Sequence, residues 1–546
     1  MSEMSLSALG REHDLDQIIG ELLALEGEGP LDARALDGIL RRHPKDGCGF
    51  FSKREILRAF RGAPGRWPVS EAAFAERMRT CPTRSLSGIL PVTVLTKPHP
   101  CPGRCIFCPD DVRMPKSYLA DEPGCQRALQ NGFDPFRQAW NRLRAYHDMG
   151  HRTDKVELIV LGGTWSAYPE RYQRWFIARL FEALNRFDPS QAPPVDDELQ
   201  EADWARVERA HRANETAGSR CVGLSLETRP DHVTEAEVLR LRRLGATKVQ
   251  LGLQSLDDSV LAANRRGHDV EASRRAMTRL RGAGFKLHAH WMANLHGSTP
   301  ERDVEDFARL FEDPALCPDE LKVYPCSLLE TAELMDVYAR GDWRPYSHDE
   351  LVELLARCLP AVPAWCRVSR VIRDIPSPDI VVGNRKTNLR EVVEARVKEQ
   401  GGRLTEIRSR EVRGETIDPG RLEFVIRSYP SELGKEHFLE LATPAGRIAG
   451  FARLTLPRGE APQPELRDRA LLREVHIYGN ARALGERSEG VAQHTGLGRK
   501  LVEQAAQLAA DSGYATLAVI SAVGTRAWYR RLGFTDGTLY QHLPTQ

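Results

Sequence analysis

From residue 88 to residue 324 the chain repeats one rhythm: a short apolar run, then a longer segment whose apolar residues recur at helical spacing. The runs cover residues 88–95, 156–161, 222–226, 249–253, 286–290 and 321–324, and helical spacing fills 171–184, 235–244, 271–282 and 303–311. A strand, a helix and a strand in parallel make a right-handed crossover, so the repetition predicts a parallel sheet. Six such units predict an α/β barrel or open partial barrel, with its chemistry at the C-terminal strand ends.

The flanks break this rhythm. Residues 15–25, 33–42 and 53–60 predict short amphipathic helices, a small module ending near residue 80. Residues 188–214, rich in Pro, Asp and Glu, predict an inserted loop with a short helix. A Pro-punctuated connection at 374–379 leads to a charged helix at 388–399 and a strand-like pair turning at Gly414. Beyond 421 the order is strand, strand, helix, strand, helix, with strands at 439–441, 447–456, 470–478 and 515–520. The expected domains are therefore 1–80, 81–375 and 421–546, with a linker over 376–420.

Composition narrows the function classes. The 77 Lys and Arg against 76 Asp and Glu leave a formal charge of +1, so bulk charge announces no nucleic-acid partner. Local charge differs: residues 41–84 hold eleven Lys or Arg against four Asp or Glu, interleaved with Phe50, Phe51, Phe60 and Trp67. That predicts a solvated helical surface or a phosphate-binding face. No stretch reaches the roughly 18–20 apolar residues of a membrane span. Glu3, Arg11, Glu12 and Asp14 break up the N-terminus, so no secretory core is expected there and the chain is expected in the cytoplasm. Its 11 cysteines then predict metal binding or inert burial rather than a disulfide framework.

Three of them are spaced for chemistry. Cys101, Cys105 and Cys108 form C-x3-C-x2-C in His99-Pro-Cys-Pro-Gly-Arg-Cys-Ile-Phe-Cys-Pro109, just after the first expected strand. Three thiolates so placed can wrap one face of a [4Fe-4S] cube and leave its fourth iron open to a small molecule. This resembles the radical enzymes that cleave S-adenosylmethionine at such an iron. Zinc with His99 as its fourth ligand, or three buried thiols, are the other readings of the spacing.

Further candidates fall at later strand ends. Gly162 and Gly163, before Thr164, free the backbone to approach the methionine part of that nucleotide. Glu227, in Leu226-Glu-Thr-Arg-Pro-Asp231, and Gln254-Ser255 stand where a barrel mouth would be, either facing a ligand or capping loops. In the C-terminal part, Gln493-His-Thr-Gly-Leu-Gly-Arg499 opens a helix. Gly496 and Gly498 let the first-turn amides of Leu497 and Arg499 approach a pyrophosphate. The strand before it carries Glu474, Val475, His476 and Ile477, and the helix after it carries Trp528 and Tyr529. Together these resemble the GNAT acetyltransferases, whose ligand is acetyl-CoA.

Both signatures in this order resemble the catalytic subunit of Elongator, the family of tRNA uridine carboxymethyl-forming acetyltransferases, in its stand-alone prokaryotic form. The likeness rests also on Lys97-Pro-His-Pro-Cys101, Asp154-Lys-Val-Glu-Leu158, Arg266-Gly-His268, Leu321-Lys-Val-Tyr-Pro325, Arg373-Asp-Ile-Pro376 and Arg408-Ser-Arg-Glu-Val412. It implies a partial (β/α)6 radical-SAM barrel, a C-terminal GNAT domain and an N-terminal basic helical module that binds tRNA. It implies that Cys101, Cys105 and Cys108 hold the cluster, and that Lys155, Glu474 to Ile477, Leu497 to Arg499 and Tyr529 contact acetyl-CoA. Lys322 would line the active cleft, with Lys322 and Tyr529 as the catalytic side chains. The implied chemistry takes a hydrogen from the acetyl methyl group and adds the resulting carbon radical to C5 of the wobble uridine, and hydrolysis leaves a carboxymethyl group.

A tRNA anticodon stem-loop would be the partner, with phosphates held by the N-terminal stretch and by Arg367, Arg370, Arg373, Arg385 and Lys386. An outside electron donor is required, no membrane is implied, and a homodimer or accessory subunits are admitted. Met292-Ala-Asn-Leu-His-Gly297 and Trp528 depart from the family pattern, and the region near Leu404 lacks the cysteine of a linker zinc site. A protein lysine acetyltransferase with a structural cluster domain is the alternative.

Overall fold

The computed structural model describes residues 3–25, 31–46, 49–80, 88–194, 199–413, 415, 417–459, 463–478 and 496–545. The first helices are Glu3–Ala24, Ala33–Arg42, Lys53–Gly62 and Glu71–Met78. The first begins earlier than its apolar spacing predicts, and the fourth was not expected. Asp32, Ser52 and Ser70 cap the last three by accepting from backbone amides of the first turn. Their core consists of residues such as Ile18, Leu22, Ile39, Phe51, Leu57, Phe60 and Met78. Phe60 stacks on Phe74 at 4.1 Å between ring centroids. Phe51 and Phe60 are therefore core residues rather than part of that basic surface, whereas Phe50 is exposed. Part of the basic stretch is also committed, through Arg61–Glu71, Arg66–Asp16 and Arg54–Asp148.

Seven parallel strands follow in one sheet: β1 Leu90–Leu95, β2 Lys155–Leu161, β3 Arg220–Thr228, β4 Lys248–Gln254, β5 Lys286–Ala293, β6 Glu320–Pro325 and β8 Arg367–Arg370. Between the last two, β7 Leu328–Leu329 pairs with β9 Ile380–Val382. The sheet is ordered β1-β2-β3-β4-β5-β6-β8, so its edge strands are β1 and β8. Apolar residues on one face, such as Val156, Leu158, Val160, Leu224 and Leu226, join the helices outside in one core. The sequence predicts six strands. The seventh, Arg-Val-Ser-Arg, has no apolar run because two arginines alternate with one apolar residue.

Residues 188–214 contain the helix Trp204–Asn214, with 195–198 outside the described residues. The segment expected as a linker carries the helix Leu389–Glu399, whose Leu389, Val393 and Val397 enter the barrel core. The strand pair expected around Gly414 is not found among the described residues. A short helix, Ile407–Arg410, and a single bridge at Glu411 stand there, and Gly414 itself lies outside the description.

The C-terminal sheet is ordered β10-β11-β12-β13-β14-β16-β15. Its strands are β10 Glu423–Ser431, β11 Gly434–Ala442, β12 Ile448–Pro457, β13 Ala470–Ile477, β14 Thr516–Val519, β15 Thr535–Asp536 and β16 Gln541–Pro544. Only β13 and β14 run parallel, and they pair only through Ala470, Leu471 and Leu472 of β13. Beyond Leu472, β13 has no ladder partner on that side among the described residues.

This sheet packs against the starts of the barrel strands. A Cβ on Gly524 would come within 2.7 Å of Arg220 Cβ at the start of β3, and Tyr540 Oη donates to Ala283 O at 2.8 Å just before β5. Arg473 donates to Phe285 O at 3.0 Å and pairs with Asp319 at 2.6 Å and Glu436 at 2.8 Å. Arg453 joins Asp319 at 3.3 Å and Glu474 at 2.9 Å. Burial alone would raise the Asp319 pKa, but Arg473 and Arg453 hold it well below the usual carboxylate range.

Removing one member of a buried network leaves its partners charged and dry, at about 3–5 kcal/mol. Asp319→Ala should therefore lower stability by about that much in denaturant titrations at neutral pH, whereas loss of the exposed Arg171–Glu201 pair should change it by less than about 1 kcal/mol. Because the native pKa is depressed, the Asp319 contribution is present above its unfolded pKa of about 3.9 and is lost on acidification. The gap between wild type and variant should close as pH falls below that value.

Candidate functional site

The three cysteines lie on the loop after β1, pinned at several points. Thr96 N donates to Leu161 O at 3.0 Å, Ile106 N to Asn264 O at 3.3 Å, and Leu334 N to Ile106 O at 2.8 Å. His99 turns away from the thiols, its Nε2 lying 3.2 Å from Ala167 O and its ring against Tyr168. The sulfurs meet donors instead. Gly103 N donates to Cys101 Sγ at 3.4 Å, and Arg266 Nη1 to Cys105 Sγ at 3.3 Å. Arg229 lies 4.0 Å from the same sulfur and is fixed by Asp231 and by Arg266 O. The Cys108 thiol, and then the Arg266 and Arg229 guanidiniums, pull the Cys105 thiol down to about 5.

Among the described residues no three His, Cys, Asp or Glu side chains converge tightly enough for a bare metal ion. An iron-sulfur cube asks something different, since each thiolate meets a separate iron. Three thiols on one wall, with amide and guanidinium donors aimed at sulfur, fit such a group, because these donors stabilise its negative charge.

All three thiols line a cavity of ≈ 710 Å³ inside the half-barrel. Barrel interiors are ordinarily filled by branched apolar side chains. Here many of the inward positions carry charged or amide groups instead, interspersed with apolar ones such as Ile159 and Leu161. At the mouth stand Gly163, Glu227, Gln254, His290 and Tyr324; in the middle Thr93, Ile159, Gln250, Lys322 and Ser369; on the floor Glu157, Lys248, Glu320 and Arg367. Lys248, Glu320 and Arg367 are the first residues of their strands, so the floor is the N-terminal end of the barrel.

Gly162 and Gly163 have φ of 141° and 83°. A Cβ on Gly162 would overlap Thr96 Oγ1 at 1.8 Å, so this glycine serves close packing, and Gly163 is the one that borders the cavity. Gln254, also at positive φ, leaves its buried Oε1 without a protein partner. Tyr118 Oη donates to Glu227 Oε2 at 3.3 Å, and burial raises the Glu227 pKa against the pull of Lys322 and Arg373. Lys322 Nζ donates to Gln250 Oε1 at 2.5 Å, and Gln250 Nε2 donates to Ser225 Oγ at 2.9 Å. Burial lowers Lys322 to about 8 and keeps His288 and His290 neutral.

Sequence reasoning missed Gln250, His288, His290, Glu320 and Arg266 as members of this site. For Gln250, His288 and His290 the signal is the alternation of polar residues in Lys-Val-Gln-Leu-Gly and Lys-Leu-His-Ala-His, which a strand buried against apolar layers on both faces would lack. Of the expected phosphate ligands, Arg367 instead lies on the cavity floor beside Glu411 at 2.8 Å, and Arg373 is clamped by Ser117 and Glu122.

The second group gathers on the other sheet. The helix Leu497–Asp511 starts at Gly496, which has φ of 84° and offers no side-chain cap. A Cβ on Gly498 would touch Trp528 at 3.4 Å and Ile477 at 3.8 Å, so helix start, β13 end and aromatic pair converge. Tyr529 is buried beside Phe534, and burial raises its pKa, with Glu474 adding to the effect. His476 is partly buried and its desolvated ring is lowered to about 4, and Arg499 is exposed. The Glu474 side chain is committed to Lys286 and Arg453. Lys155 stands at the start of β2, away from the thiols, and Gln493 lies outside the described residues.

Residues 99–311 match the radical SAM superfamily, and residues 318–399 the radical SAM C-terminal domain. The chain is 39% identical over 471 residues to the tRNA uridine(34) acetyltransferase of Dehalococcoides mccartyi, covering 84% of this chain and 99% of that one. It is 36% identical over 508 residues to the enzyme of the same name from Methanocaldococcus jannaschii, with 88% and 91% covered. It is 36% identical over 485 residues to human Elongator complex protein 3, with 86% of each covered. The structure of Methanocaldococcus infernus Elp3 with residues 1–46 deleted superposes with a TM-score of 0.71 at 32% identity, over 84% of this chain and 100% of that one.

In the metal-free protein at about pH 5, iodoacetamide should label Cys105 while Cys125 and Cys326, both pushed up to about 12 by burial, stay unlabelled. Arg266→Met should slow that labelling by about tenfold for each unit the thiol pKa rises, as peptide mass spectrometry would report.

Proposed function

The chain belongs to the family of tRNA uridine(34) acetyltransferases and Elongator complex protein 3, and on that premise we propose that it builds a carboxymethyl group on C5 of the tRNA wobble uridine, drawing the carbon unit from acetyl-CoA. It is an enzyme of the radical SAM class. The observation that carries the proposal is the cavity, which has three thiols at its mouth, two of them backed by donors, and a cation of lowered pKa in its middle.

Cys101, Cys105 and Cys108 would each hold one iron of a [4Fe-4S] cluster, with Arg266 and Arg229 stabilising its charge. Gly163, Glu227 and Gln254 would frame S-adenosylmethionine beside it. That pair, when bound, supplies carbon-radical chemistry, which a methyl C–H demands because side-chain bases are too weak to ionise it.

The chain's own residues bind and orient. Uracil offers two carbonyl acceptors and one N–H donor, and protonated Lys322, neutral His290 and Gln250 present complementary groups within the cavity. A base reaches them only if splayed from a single-stranded loop, which an anticodon loop permits at modest cost. Exposed Arg41 and Arg58 on the N-terminal module would hold phosphates.

Acetyl-CoA would lie across the gap beyond Leu472, its pyrophosphate on the amides of Gly496 to Arg499 and of Gln493. Main-chain groups of Val475 to Ile477 would hold its pantetheine arm. Tyr529 would lie near the thioester, and Lys155 and Glu474 would border the same region. No helix among the described residues is long and apolar enough to cross a membrane.

Anaerobic reconstitution with iron, sulfide, reductant, S-adenosylmethionine, tRNA and methyl-labelled acetyl-CoA should yield labelled carboxymethyluridine, and Cys105→Ala should abolish it. Label on protein lysines instead would overturn the proposal. Because Lys322 loses its proton through about pH 8, kcat/KM for tRNA should fall as pH rises past that value. Lys322→Met should cost about 10²- to 10⁴-fold and remove that limb of the profile.

A further inference from the structure

The proposed reaction sets a geometric problem. The thiols lie at the C-terminal ends of the barrel strands. The second sheet, with the residues proposed for acetyl-CoA, abuts the N-terminal starts of the same strands at Arg220, Ala283 and Phe285. Strands of six or seven residues separate the two ends by roughly 20 Å. Two reacting groups held that far apart must be brought together by a defined path.

We infer that the lumen of the half-barrel is that path: the acetyl thioester passes through the floor and meets the uridine within the barrel, at the level of Lys322. This rests on the function proposed above. Three observations carry it. One continuous cavity is lined at one end by Cys101, Cys105 and Cys108 and at the other by Glu157, Lys248 and Glu320. Charged and amide side chains such as Glu157, Lys248, Gln250 and Lys322 are spaced along its length among apolar ones, which suits an open passage rather than a packed core.

The floor, finally, is closed by side chains and not by backbone. Lys248 links Glu157 at 2.5 Å to Glu320 at 3.4 Å, and Lys286 links Glu320 at 2.8 Å to Glu474 on the second sheet. Ion pairs between flexible stems can exchange partners by rotation without unpacking either sheet. Lys248 and Lys286 keep side-chain exposures of 11% and 17%, so their stems are not packed solid on every side.

Thr93 and Ile159 are register partners halfway up the lumen and carry no charge. Ile159→Trp and Thr93→Trp, each made in the reconstituted full-length protein, narrow the passage without touching the residues proposed to bind either nucleotide. Three quantities are read: acetyl-CoA binding by calorimetry, 5′-deoxyadenosine released from S-adenosylmethionine, and labelled carboxymethyluridine in tRNA. The first two should stay within about twofold while the third falls by at least about 100-fold, as expected when reacting groups are held out of register.

Carboxymethyluridine formed at near the wild-type rate by either variant would overturn the conduit, since the thioester would then travel round the open edge between β1 and β8. Loss of deoxyadenosine in both variants would place S-adenosylmethionine at that depth and overturn it equally. If the wild-type protein makes no carboxymethyluridine at all, the wobble-uridine function itself fails, a result separable from the other two.

Discussion

The molecule hangs on a chain of alternating buried charges that runs from the barrel floor into the second sheet. Glu157, Lys248, Glu320, Lys286, Glu474, Arg453, Asp319, Arg473 and Glu436 follow one another through direct contacts. Such a chain does little for net stability, because desolvating each ion offsets much of the attraction. Its effect is on geometry. Every member between the two ends satisfies two neighbours, so a shift of one sheet against the other costs several of these contacts at once. Apolar packing alone would tolerate a sliding seam, and a site assembled from two sheets would not.

The polar lumen follows from the same economy of faces. Strands such as β4 and β5 bury apolar residues outward against the helices and turn Lys248, Gln250, His288 and His290 inward. A filled barrel core would be more stable, but it would leave no room for a base or a thioester. The order of pKa values inside the lumen tracks burial: the histidines are neutral, Lys322 is poised near neutrality, and Glu227 is raised. Lys322 donates to the neutral amide of Gln250 rather than to a carboxylate, which leaves its charge uncommitted within the lumen.

Much of this was legible in the sequence. The strand-helix rhythm and the cysteine spacing point to the half-barrel and to the thiol loop, because both depend on local pattern. The seventh strand was not legible, since Arg367 and Arg370 hide its single apolar position between them. Nor was the fate of Phe51 and Phe60. An aromatic residue among arginines reads the same whether it faces solvent or a core, and only the capped helices around it decide. Glu474 shows the limit most clearly. The family likeness assigns it a ligand contact, yet its carboxylate answers to Lys286, which lies 188 positions away in sequence. Pairings of that kind are set by how two sheets dock, and no local window contains them.

The seam has a consequence for how such a protein can change over generations. A charge lost from Lys286 leaves Glu320 and Glu474 each one partner short, and a charge lost from Arg473 does the same to Asp319 and Glu436, on opposite sides of the join. Tolerated substitutions along it must therefore arrive as matched pairs, one from each half. The two halves are thus bound to a common ancestry: neither can be exchanged for a counterpart from a distant lineage unless its share of the alternating charges comes with it.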